Sequence, residues 1–356
     1  MIMRQLLHTA IWTLLLCGIS YAQDRGSPSS IAWSPDGETI AVASTSGLWL
    51  FDNEFNELGA VRIEHGRSLS RLVEWNATGD LVALAELFFD PIRVVDIGEL
   101  RVVTEIYDAR SLSSLRWHPS ANRIVSGTFF GETRIWEAIT GEEVFHFDSH
   151  ALYPNDGKYH ETMGVCWFND GALIIVLEER MFIVDVDKES ILKEFGPDAF
   201  FSAHVECNPE HEILSRHGQL FDLETATLTW DFLQDSEHND PGPHPEPVAV
   251  KWSPDSRLIV ANFTGCLIRV YDGRTGKLIA EMPGGTSNLG ASPYYFVDSI
   301  DWRPDGSRFA VVGDYGIRVW DSETFELLLR FDGFGEHPNV VARMEKGEKP
   351  RIEPCP

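Results

Sequence analysis

One phrase of hydrophobic and polar positions recurs along the chain. An apolar-x-Trp step leads into a polar turn that often carries Pro with Asp or Gly. An apolar run follows, and an apolar pair ending in an acid closes the phrase. Ile31-Ala32-Trp33-Ser34-Pro35-Asp36-Gly37 opens the first copy, and Phe51-Asp52 closes its third strand. The second copy has Trp75, Thr78-Gly79 and Val95-Asp96; the third has Trp117-His118-Pro119 and Trp136-Glu137. Trp167, Asn169-Asp170-Gly171 and Val184-Asp185 mark the fourth, Cys207-Asn208-Pro209 and Phe221-Asp222 the fifth. The sixth carries Trp252-Ser253-Pro254-Asp255 and Tyr271-Asp272, the seventh Trp302-Arg303-Pro304-Asp305-Gly306 and Trp320-Asp321. Six steps separate Trp33 from Trp302, a mean period of about 45 residues, the length of a four-stranded propeller blade.

Each copy predicts four short strands, in the first at about 29–33, 39–44, 47–52 and 57–62. Ile40-Ala41-Val42-Ala43 and Leu258-Ile259-Val260-Ala261 are apolar at every position, as a sheet covered on both faces requires. One such sheet cannot bury itself, whereas seven closed in a ring can. The predicted fold is therefore an all-β, seven-bladed β-propeller of four-stranded antiparallel blades. With the lines SPDGETIAV, SPDSRLIVA and RPDGSRFAVVGDYGIRVWD, the chain resembles the WD-repeat (G-beta-type) β-propeller family. It departs from that family in places. Trp320-Asp321 is the one literal Trp-Asp pair, the Gly-His step is missing, and the fifth unit has Cys207 where Trp is expected. The resemblance implies a non-catalytic protein–protein interaction platform, and carries no cofactor with it. Ring closure stays open between blade-against-blade packing and an added strand from Asn339 to Met344.

The chain ends are read differently. Residues 1–22 hold no acid; Arg4, the largely apolar Leu6 to Leu16 and the small-x-small step Ser20-Tyr21-Ala22 form the pattern of a secretory signal peptide cut after Ala22. The expected divisions are signal peptide 1–22, propeller 23–331 and a charged tail 332–356. A secreted, periplasmic or cell-envelope location follows, with no membrane span after processing, and a monomer is expected. The chain has 29 Lys+Arg against 55 Asp+Glu, a net charge of −26, which argues against nucleic acid as a partner. Four cysteines follow the signal: Cys166, Cys207, Cys266 and Cys355. Cys166 and Cys207 fall on inner strands of adjacent units, but a disulfide needs Cα atoms within about 7 Å. Inter-blade spacing argues against that closeness, so buried free thiols are the expectation.

Two regions could carry function. The acids that end the third strands are turn devices. Links between units and the hairpins between second and third strands all emerge on one face. The links Ser149–Glu161, Asp235–Glu246 and Gly284–Ser292 are long, and aromatics fall on or beside them: Tyr153, Tyr159, Tyr294 and Tyr295. The hairpins add Phe88, Phe89, Phe129, Phe130, Phe263 and Tyr315. If exposed, these aromatics make this face the docking surface for a protein or peptide partner; otherwise they pack beneath the long links. The second region is the central channel, where Glu74, Arg116, Glu206, Lys251 and Asp301 directly precede the Trp position. His204 and Glu206 share a strand face, so a metal or small-ligand site, or a channel-based hydrolase or lactonase-like enzyme, is the alternative. A satisfied ion-pair network explains the same residues without one. No Gly-rich phosphate loop, Gly-x-Ser-x-Gly or His-Glu-x-x-His is present.

Overall fold

The computed structural model describes residues 25–334 apart from 64–70, 87–90, 108–110, 154–159, 170, 178–179, 197–204, 209–211, 216–218, 225–226, 232–246, 264–266, 285–299 and 314–315. The described strands form seven four-stranded sheets, each ordered in space as in sequence and antiparallel throughout. In blade one these strands are Pro28–Trp33, Ile40–Ser44, Gly47–Phe51 and Glu57–Arg62, from the channel outward.

The fully apolar strands are explained by where alternate residues go. Seven hydrophobic clusters occupy the seven interfaces between neighbouring blades. Val42 joins the cluster shared with blade seven, whereas Ala41 and Ala43 join the one shared with blade two. Period-two alternation thus feeds two cores instead of one core and solvent. At two seams the repeat Trp also reaches across to the preceding blade. The indole Nε1 of Trp75 donates to the Ala32 carbonyl of the preceding blade at 3.0 Å, and that of Trp117 to the Glu74 carbonyl at 2.9 Å.

The aspartates hold turns. Asp52 accepts from the Asn56 side chain at 2.8 Å and from the backbone N–H groups of Asn56 and Glu54. Those bonds hold its carboxyl below the usual carboxylate range. In Asp321 the N–H groups of Thr324 and Glu323 act in the same way.

The ring closes blade against blade. Ala310, Val312, Ile317 and Val319 of blade seven share a cluster with Ile31, Ile40 and Val42 of blade one. Phe331 stacks on Phe55 at 4.9 Å and meets Phe51 edge-on at 5.2 Å, with Phe334 against both Phe51 and Phe331. Asp301 Oδ2 accepts the Trp33 N–H at 2.7 Å, and Arg303 donates to the Gly37 carbonyl and to Glu38. No described sheet takes a strand from the other chain end; Asn339 to Met344 lie outside the described residues.

One expectation is corrected. Cys166 and Cys207 form a disulfide, with Cα atoms 6.2 Å apart. Blades radiate from the channel, so their separation is smallest at the inner strands, where both cysteines sit. Cys266 and Cys355 lie outside the described residues.

Candidate functional site

Backbone hydrogen bonds bring hairpins and inter-blade links together on one face. In blade three the Phe129 N–H donates to the Ser111 carbonyl of the incoming link, and the Ser149 N–H of the outgoing link donates to the Gly131 carbonyl. Gly131 is required there. Its φ is +76°, and a Cβ would stand 2.2 Å from Ser149 Oγ and 2.3 Å from the His160 carbonyl oxygen.

This packing pushes the hairpin tip outward. Phe130 is 53% exposed, flanked along the chain by half-buried Phe129. Two more apolar side chains are exposed on the links of the same blade: Tyr107, the residue after the strand Arg101–Ile106 leading in, at 69%, and Leu152, on the short helical turn Ser149–Leu152 leading out, at 41%. Neither Tyr107 nor Leu152 stands out in the repeat pattern, because both fall outside it. Tyr153 is half-buried instead. Its hydroxyl donates to Glu194 Oε1 at 2.6 Å, and the Arg180 guanidinium lies 4.3 Å from its ring centre. Burial, then the Glu194 hydrogen bond, raises its phenol pKa.

Phe263 does not belong to this surface. It is fully buried, packed with Ile259, Ala261 and Tyr271 and covered by Arg269 at 5.1 Å. The reason is register: Phe263 is still paired within the sheet, opposite Leu267, whereas Phe130 lies in the turn beyond the last pair. Phe88, Phe89, Tyr159, Tyr294, Tyr295 and Tyr315 lie outside the described residues.

The channel has its own order. The positions before the Trp run Ala32, Glu74, Arg116, Cys166, Glu206, Lys251 and Asp301 around the ring. Arg116 donates to Glu74 at 2.9 Å and, reaching past the disulfide, to Glu206 at 3.1 Å; Lys251 meets the other Glu206 oxygen at 3.0 Å. Glu206 is therefore engaged by two cations, as an ion-pair network requires; His204 lies outside the described residues. Among the described residues no three His, Cys, Asp or Glu side chains converge as a metal site would need. Withdrawal from water pushes the Asp301 carboxyl up to about 6, against the pull of Lys251 and of the Trp33 and Trp302 N–H groups.

A cavity of about 250 Å³ opens where the inner strands turn back, at the end opposite the long links. Trp33, Trp75 and Trp117 frame it, and Glu74, Lys251 and Asp301 line its polar side. Sequence reading points to the channel acids but not to this mouth, because no local spacing records which blades converge on it.

A seven-bladed propeller with Trp at the blade seams and Asp in the turns defines the class of protein. The family model described as WD domain, G-beta repeat matches residues 288–321. WD repeat-containing protein 1 of Rattus norvegicus is 23% identical over 232 residues, covering 62% of this chain and 35% of that protein. Actin-interacting protein 1 of Drosophila melanogaster is 23% identical over 250 residues, covering 64% and 36%. The match therefore spans about a third of the length of these curated relatives. The crystal structure of the Cps50 (Swd1) β-propeller domain of Myceliophteria thermophila superimposes with a TM-score of 0.65 at 14% identity, over 83% of this chain and 97% of that one. This chain is thus similar to WD-repeat proteins in sequence and shares the β-propeller fold.

Proposed function

We propose that the chain is an exported, non-catalytic interaction platform that binds a protein or peptide partner on the link-bearing face, centred on blade three. The observation that carries this reading is the exposure of Phe130, Tyr107 and Leu152 around one hairpin. Apolar side chains held out by a rigid scaffold are the usual anchors of an interface. Similarity to WD-repeat proteins favours a scaffold over a catalyst, and Actin-interacting protein 1 is itself named for a protein partner. The Cys166–Cys207 disulfide fits an oxidising compartment and so supports export. The mature chain is expected to begin at Gln23, which intact-mass measurement of the exported protein checks.

The docking reading is tested by crosslinking in the native compartment, comparing wild type with Phe130→Ser. Phe130 is more than half exposed, so the variant keeps its melting temperature while losing the partners that wild type captures. Equal capture by both proteins overturns the reading.

A further inference from the structure

The seven channel positions do not alternate evenly in charge. Starting at blade two they read acid, base, neutral, acid, base, acid, neutral: Glu74, Arg116, Cys166, Glu206, Lys251, Asp301 and Ala32. The neutral step at Cys166 is bridged, since Arg116 spans it to reach Glu206. The neutral step at Ala32 is different. It separates two carboxylates, Asp301 and Glu74, so the ring has one surplus negative charge at the seam of blades seven, one and two. The cavity lies at this same place, with Ala32, Asp301 and Glu74 all in its wall.

The geometry points to this cavity as a binding site for a slim organic cation, a guanidinium or ammonium group on an alkyl stem, whose charge sits over Ala32 between Asp301 and Glu74. Such a group would restore the alternation that every other step of the ring satisfies directly or by bridging. The remaining wall suits the stem. Ile31, Val73 and Ile300 are apolar, and Trp33, Trp75 and Trp117 border it with indoles that are mostly packed into the blade seams. A bare metal ion fits less well, for it would need a third protein ligand that the described residues do not supply. Asp301 is also withdrawn from water strongly enough to raise its pKa, an environment in which an incoming cation gains. The site opens away from the link-bearing face, so it is independent of the docking surface proposed above.

Two sources could supply this chemistry: a free small molecule, or an arginine or lysine side chain of a partner. The test is calorimetric titration of the mature protein at pH 7.5 with propylguanidinium chloride and, separately, with an acetylated and amidated Gly-Arg-Gly peptide. Saturable one-to-one binding of either probe is expected, and Asp301→Asn should weaken it by about tenfold or more. Ala32→Lys, which places a cation of the chain's own in the gap, should abolish it while keeping the circular dichroism of the wild type. Binding of propylguanidinium as tight as the peptide's marks a free ligand, and binding of the peptide about tenfold tighter marks a partner side chain; both uphold the site. Failure of both probes to saturate wild type overturns it. So does equal binding by wild type, Asp301→Asn and Ala32→Lys, which would be attraction to the acidic surface at large.

Discussion

Asp301 carries opposite duties. Its carboxylate caps the Trp33 N–H across the closing seam, yet its place in the channel strips away water. The groups that face it are Lys251 and Glu206, with Glu74, Arg116 and His118 further around the channel and its mouth. Its carboxyl titrates near 6 when folded and near 3.8 when unfolded. The folded chain therefore holds the extra proton between those values. This acid favours folding fully below pH 3.8, and that contribution is lost as pH rises through 6. At pH 7 the ionised group costs about 3 kcal/mol. Asp301→Asn should therefore be more stable than wild type at pH 7, with the advantage shrinking towards pH 4; urea titrations at pH 4, 5, 6 and 7 measure it. A difference independent of pH would show that Asp301 does not titrate in this window. The turn aspartates run the other way. Asp36, held low by its Ser34 and Glu38 bonds, supports folding above its unfolded pKa and loses that support as pH falls. Their role was legible in the sequence, because a turn acid acts on its own neighbours. Phe263 was not, since its burial depends on where pairing stops.

Among the described blades, the fifth has the shortest strands. Its strands, Val205–Cys207, Glu212–Ser215, Gln219–Asp222 and Thr227–Asp231, run three to five residues, and it lacks the seam Trp. The disulfide stands where that indole would be and ties blade five to blade four across 41 residues of chain. Closing a loop of that length is worth about 4 kcal/mol in chain entropy. Cys207→Ser should lower stability by a few kcal/mol, and hydrogen exchange should rise first in blade five. Uniform loss of protection around the ring would instead show that the bond supports every blade alike. The sequence placed the two cysteines on inner strands of adjacent units. It did not display their distance, because strand pattern reports what faces a neighbour and not how blades converge on an axis.

The whole ring was readable from its period, since 45 residues per Trp demands repeated four-stranded units and only closure covers the last apolar face. The seam itself was not readable. It rests on side chains from the two ends of the fold: Phe331 and Phe334 against Phe51 and Phe55, with Arg25 paired to Glu57 at 2.6 Å. Phe331→Ala removes the ring that touches the other three and should cost about 2 kcal/mol, less than a fully buried Phe because Phe331 keeps some exposure. Thermal melts check this, and an unchanged midpoint would mean that the apolar strands alone hold the seam. Because no described strand crosses the seam, each described blade there is built from one continuous stretch of chain. Arg25 also donates to the Gly333 carbonyl at 3.1 Å, so the first and last described segments are neighbours. The polypeptide's order around the circle is thus a matter of where it was cut. A circular permutant joining residues 25 and 334 through a short Gly-Ser linker, and opened just before Ser111, whose carbonyl accepts the Phe129 N–H, should fold to the same ring.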